Sequence, residues 1–351
     1  MKELKEMNIE TESESSIDDL PPTTVPEGIQ IRLGGLKGET EEELKEYGNK
    51  LSACLRTIGT VIDMSGLDGI TAVVDYEGAL AEFSRDVKGP EGKNQLKPTN
   101  DGIARGVAMT VAFPKDGEVK SHMFFNYYFL KGIDYDLNSE VFQFSLSIIA
   151  HECAHVEATS KFDSVFPGVS LKRYPDACNA LDRAKWGCAI YPCWEEYIAC
   201  RRSSCFGKNP LDDQVDTLLQ TLDGIDEKAD CIIEEWERDD DKDYGKVFYG
   251  LFKLYGDLIK YSSYVLGTMH GSGLTVEDVS SLRDGLADSW FTSYFDNLGE
   301  LCEALYESYG IWEDYGAFNP IGDLLEKIVA RKGVSARPCG DDLYVTLIDP
   351  L

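Results

Sequence analysis

The chain is poor in histidine, poor in positive charge and free of long apolar runs. It has four histidines in 351 residues, and 34 Lys and Arg against 63 Asp and Glu, for a net charge of −29. A surface that acidic repels phosphate backbones, so nucleic acid is excluded as an expected partner. No window approaches the roughly 20 apolar residues that span a bilayer, so no membrane partner is expected. The opening MKELKEMNIETESESS has no apolar stretch behind its lysines, as a secretory signal would need. The expectation is a soluble, cytoplasmic protein. No fixed-period repeat is present either.

Ten cysteines are present, yet none forms a C-x-x-C pair, which argues against a zinc ribbon or knuckle. Five fall between 178 and 205. Without a signal segment they are expected as reduced thiols packed like small apolar side chains. A second metal site or a redox switch is the other reading of that cluster.

What is present is enough for a real core: 43% of residues are hydrophobic, in one large domain or two smaller ones. Residues 1–28 are acidic, end in LPPTTVPEG and predict a disordered tail. Thr40 is a plausible N-cap for a helix whose apolar residues are Leu44, Leu51, Leu55 and Ile58. GITAVVDY (69–76) predicts a strand. RGVAMTVAF (105–113) and VKSHMFFNYYF (119–129), joined by PKDGE, predict a hairpin. Asn138 or Ser139 can cap the next helix, with Phe142, Leu146, Ile149, Cys153 and Val156 as its apolar stripe. Residues 160 to 192, with prolines at 167, 175 and 192, predict an irregular stretch. CWEEYIACRRSS (193–204) predicts a helix, and from 210 onward the pattern is mostly helical, with DDLYVTLI a possible strand. The aromatic stripes of these late helices read as packing surface.

The stretch that carries chemistry is IIAHECAHVE (148–157). On a helix that turns about 100° per residue, His151 and His155 project from one face, one turn apart, and two imidazoles so placed can hold one Zn²⁺. Glu152 stands beside them, placed to take a proton from a metal-bound water. A catalytic zinc needs a third protein ligand and an open position. Ala158 and Lys161 occupy the positions where a metzincin has glycine and histidine, Asp163 lacks the spacing, and Glu157 faces another way. His122, on a predicted strand, reads as a packed or surface residue, and His270 as one that meets a helix C-terminal dipole. WEEYIACRR, downstream, offers Glu195 and Glu196.

Over roughly residues 40 to 206 the sequence resembles the gluzincin clan, especially ImmA/IrrE-like and minigluzincin peptidases. The resemblance rests on HECAH and on Glu196–Tyr197–Ile198–Ala199, which matches that clan's Glu-x-x-Ala. It implies a short sheet, an HExxH helix and a second helix whose Glu196, rather than Glu195, is the third ligand of one zinc per chain. It also implies that the strand at 119–129 resembles the edge strand that pairs with an extended substrate. Cys200 departs from the Asp or Asn that supports a histidine in the clan, and the loop from His155 to Glu196 is long for a minimal version of the fold. Tyr191, Tyr197, Arg201 and His270 are candidates for the oxyanion stabiliser, with Tyr197 taken beside Glu152 as catalytic. Residues 158–209 carry eight Lys or Arg against five Asp or Glu, which suits either an acidic substrate segment or internal docking of the acidic helices around 212–243 or of the tail.

The expected fold is α+β: a zincin-like core (29–206), a mostly helical region (207–337) and a C-terminal strand or tail (338–351). The expected activity is zinc-dependent hydrolysis of a protein or peptide. The alternative is a zinc-binding interaction protein on the same fold. The oligomeric state is not legible in the sequence.

Overall fold

A computed structural model describes residues 7–9, 22–35, 40–88, 96–98 and 106–347. The fold is α+β, mostly helical, with a small mixed sheet. It divides into two compact units, Met1–Ser160 with Arg202–Asn209, and Lys161–Arg201 with Pro210–Leu351. Residues 161–201 group with the C-terminal helices.

In the first unit, strands β1 (Met7–Ile9), β2 (Gln30–Gly34), β3 (Leu67–Val73), β4 (Ala108–Lys115) and β5 (Glu118–Asn126) form one sheet in the order β1-β2-β3-β5-β4. The pairs β2–β3 and β3–β5 are parallel, while β1–β2 and β4–β5 are antiparallel. Central β3 is buried at six of its seven positions, as a strand covered on both faces must be. Asp116 and Gly117 close the β4–β5 hairpin with φ of 53° and 86°, the conformation that makes Asp-Gly the preferred pair for such a turn. The hairpin turns β4 outward. β5 (118–126) is therefore interior, and β4 is the edge, which corrects the expectation placed on 119–129.

Helix α1 (Glu41–Ile58) starts at a reciprocal cap: the Thr40 hydroxyl accepts from the Glu43 amide at 3.2 Å, and the Glu43 carboxylate accepts from the Thr40 amide at 2.6 Å. Leu51, Leu55 and Ile58 are fully buried from it. Helix α2 (Tyr76–Lys88) follows β3, and the short α3 (Tyr127–Leu130) follows β5. Helix α4 (Glu140–Val165) begins where the Ser139 hydroxyl accepts from the Phe142 amide, at 3.2 Å. Its residues 161–165 belong to the second unit. Of the predicted tail, residues 7–9 pair with β2, and Thr24 is tied down by bonds to the Gly59 and Ile62 carbonyls at 2.9 and 3.0 Å. The rest of residues 1–21 lies outside the described residues.

Of the stretch expected to be irregular, residues 166–168 and 173–179, which hold Pro167 and Pro175, are non-helical, and the rest is helical. After α5 (Val169–Lys172), Asn179 caps a run that continues to Ser203: α6 (Ala180–Lys185), one widened turn (Trp186–Ile190) and α7 (Tyr191–Ser203). Pro192 lacks the N–H that would bond the Cys188 carbonyl. The chain absorbs this by widening, so that the Tyr191 amide bonds the Trp186 carbonyl five residues back. Helices α8 (Leu211–Leu222), α9 (Ile225–Arg238), α10 (Tyr244–Ser272), α11 (Ser280–Leu286), α12 (Thr292–Glu307) and α13 (Asn319–Ala330) follow. A hairpin of β6 (Val334–Cys339) and β7 (Asp342–Leu347) ends the unit. The aromatic stripes of the late helices do pack: Phe248, Phe252 and Tyr255 of α10 and Phe295 of α12 are buried, and Phe162, Phe166, Trp186, Trp194, Trp312 and Phe318 form a further network of ring contacts.

Candidate metal centre

His151 and His155 sit on α4, one turn apart, with Nε2 atoms 3.1 Å apart and rings nearly perpendicular. That separation is below twice a Zn–N bond of ~2.0–2.1 Å, so one ion can reach both nitrogens. Glu196, on α7, completes a candidate group: one ligand atom each from His151, His155 and Glu196 lies within 4.8 Å of the others. Among the described residues this is the one group of three or more His, Cys, Asp or Glu placed to hold a metal. Two imidazoles and one carboxylate make the donor set of a catalytic zinc that keeps a position for water.

Glu152 is buried, with 5% of its surface exposed. The Thr110 hydroxyl lies 2.7 Å from its carboxylate Oε2 and 3.0 Å from its backbone carbonyl. Thr110 belongs to edge strand β4, so the strand fixes the carboxylate beside the histidine pair. No pattern in the sequence marks Thr110, an ordinary strand residue. Glu152 also helps push the Tyr76 hydroxyl upward, after burial itself, so Tyr76 stays protonated.

Glu196 lies against α10. Its Oε1 is 3.5 Å from Lys260 Nζ, and its carboxylate accepts a hydrogen bond from the half-buried Tyr264. Glu195 instead meets the Tyr191 hydroxyl at 3.4 Å. Cys200 is buried, and its sulfur accepts from Gln214 Nε2 at 3.5 Å.

Tyr197 follows Glu196 in sequence but points about 100° around the helix. Its hydroxyl is 2.8 Å from His270 Nδ1 and accepts from Arg201. Arg201 forks onto Glu303 at 2.8 and 2.9 Å and lies over the Tyr306 ring. Burial lowers the His270 pKa, partly offset by the Glu303 carboxylate, so His270 favours its neutral form. Tyr197, Arg201 and His270, three of the oxyanion candidates, thus form one network, while Tyr191 stands with Glu195. None of the four is among the three donors.

Glu157 faces away from the donors, as its position two residues past His155 requires. It is 3% exposed and takes a forked bond from Arg202, 2.8 Å at Nε and 3.2 Å at Nη2. His122 is packed against Phe83 and Phe124, bonded to Thr71 at 2.9 Å, and pushed down to about 4 by burial. The basic bias of 158–209 is met internally. Lys185 bonds Asp323 and Glu326, Arg201 bonds Glu303 and Arg202 bonds Glu157. The first two thus dock on α12 and α13 rather than on the acidic helices around 212–243.

All ten cysteines are thiols: Cys153, Cys178, Cys193, Cys200 and Cys302 are buried, while Cys205, Cys231 and Cys339 are exposed. Among the described residues no helix is long and apolar enough to cross a membrane. No protein-family model, curated protein or solved structure matches the chain.

Proposed function

We propose that the chain is a cytoplasmic zinc metallopeptidase on a zincin-like core, with His151, His155 and Glu196 as ligands and Glu152 as general base. The observation that carries the reading is a pair of imidazole nitrogens 3.1 Å apart on α4 beside a buried Glu152 held by the Thr110 hydroxyl at 2.7 Å. Bound zinc would lower the pKa of a water towards about 7 and polarise a substrate carbonyl. Glu152 takes the proton of the attacking water and returns it to the departing amine. Thr110 holds the Glu152 carboxylate through Oε2, 2.7 Å away, which fixes the orientation of the base.

The substrate class rests on the sheet. Edge strand β4 runs antiparallel to β5, and among the described residues no strand pairs with its outer side. Its outward backbone groups suit an extended polypeptide, which would add as one more strand.

The test is hydrolysis of a mixed-sequence peptide library, read by mass spectrometry. The reading predicts cleavage that stops when a chelator removes zinc and returns on adding one equivalent. Cleavage that persists unchanged in the chelated protein would contradict it.

A further inference from the structure

The reading of Glu196 as a ligand leaves α10 without a role, yet α10 is the helix that handles its carboxylate. Positions 256, 260, 264 and 267 are spaced four, four and three apart, so they lie along one face of α10. Gly256 and Gly267 bracket that face. A Cβ on Gly256 would stand 2.2 Å from the Cys188 carbonyl oxygen, and one on Gly267 would stand 2.4 Å from the Tyr197 carbonyl oxygen. Only glycine permits so close an approach, and the carbonyl met by Gly256 is the one to which Pro192, lacking an N–H, cannot donate. The two contacts clamp α10 to the widened turn and to α7. Between them, Lys260 and Tyr264 are delivered to Glu196.

Resting on the proposed metal site, we infer that Lys260 and Tyr264 are positioning residues that set its zinc affinity in opposite directions. Tyr264 is neutral and half-buried. Its hydroxyl fixes the carboxylate in one orientation whether or not metal is present, the action of an outer partner that raises a ligand's affinity. Lys260 carries a charge of the metal's own sign. In the empty protein it neutralises a carboxylate that is 14% exposed. In the loaded protein the same ammonium is repelled by the cation. A group that favours the empty form over the loaded form lowers the affinity by that ratio. Lys260 is thus a built-in competitor for Glu196 that keeps zinc exchangeable.

The experiment measures the zinc dissociation constant of full-length protein at fixed pH, by competition with a chromophoric chelator. The variants are Tyr264→Phe, Lys260→Met and Lys260→Arg. Tyr264→Phe is expected to weaken binding about tenfold or more. Lys260→Met is expected to tighten it by about tenfold, and Lys260→Arg, which keeps the charge, to stay near wild type. Circular dichroism confirms folding, and Lys260→Gln replaces Lys260→Met if the latter does not fold. Weaker or unchanged binding on removing the Lys260 charge, or unchanged binding in Tyr264→Phe, overturns the inference. A wild-type protein that takes up no zinc overturns the metallopeptidase reading instead.

Discussion

Glu152→Gln is expected to lower peptide hydrolysis by about 10²–10⁴-fold while zinc stays bound. The amide has the carboxylate's shape, and the Thr110 hydroxyl, 2.7 Å away, can donate to the amide oxygen as it does to Oε2. Packing is therefore kept and only the proton acceptor is lost. The variant should melt within a few degrees of wild type and hold the same zinc per chain. Turnover of a cleaved library peptide, measured beside zinc content, checks both halves. Undiminished hydrolysis would remove Glu152 from the mechanism. Intact binding of a cellular partner together with an absence of hydrolysis in wild type would favour a zinc-binding interaction protein on the same frame.

Arg202→Leu is expected to cost about 3–5 kcal/mol of stability, because it strands a buried carboxylate. Arg202 forks onto Glu157, and its Nη2 also donates to the Val61 carbonyl at 2.7 Å. Glu157 Oε2 further accepts from the Asp63 amide at 2.7 Å. Removing the guanidinium leaves the Glu157 carboxyl with its side chain 4% exposed and its main counter-charge gone. The double variant Glu157→Gln, Arg202→Leu should recover much of the loss, since the amide oxygen still serves Asp63 and no charge is stranded. Urea unfolding of the single and double variants measures this. An Arg202→Leu protein within about 1 kcal/mol of wild type would show that the pair contributes no more than an exposed one.

Features set by local chemistry were readable in the sequence. Thr40 with Glu43, Asp116 with Gly117 and Ser139 each act within a few residues, and each caps or turns the chain where the pattern put it. The four-residue spacing of His151 and His155 fixed their relation in the same way, since a single helix carries both. Glu196 was singled out by a second motif, Glu-x-x-Ala. The rest depended on distant partners. The prolines at 167, 175 and 192 read as breaks, yet the helical run passes through Pro192 because a widened turn absorbs the missing N–H. Which strand of the hairpin lies at the edge depends on where β3 pairs, and the hairpin sequence does not record that. Lys260 and Tyr264 lie more than 60 residues beyond Glu196 in an aromatic helix that reads as packing. Tyr197, adjacent to Glu196 in sequence, is turned by the helix towards His270 and Arg201. Adjacency in sequence is a poor guide to adjacency in space on a helix.

The most direct measurement is zinc per chain, by elemental analysis of protein purified without metal-affinity tags or added metal. The account predicts a value near one, falling towards zero in His155→Ala, because one imidazole and one carboxylate are too few to retain the ion. A value near zero in wild type that persists after incubation with zinc at neutral pH would contradict the metallopeptidase reading and leave HECAH as a helix whose two histidines merely face each other.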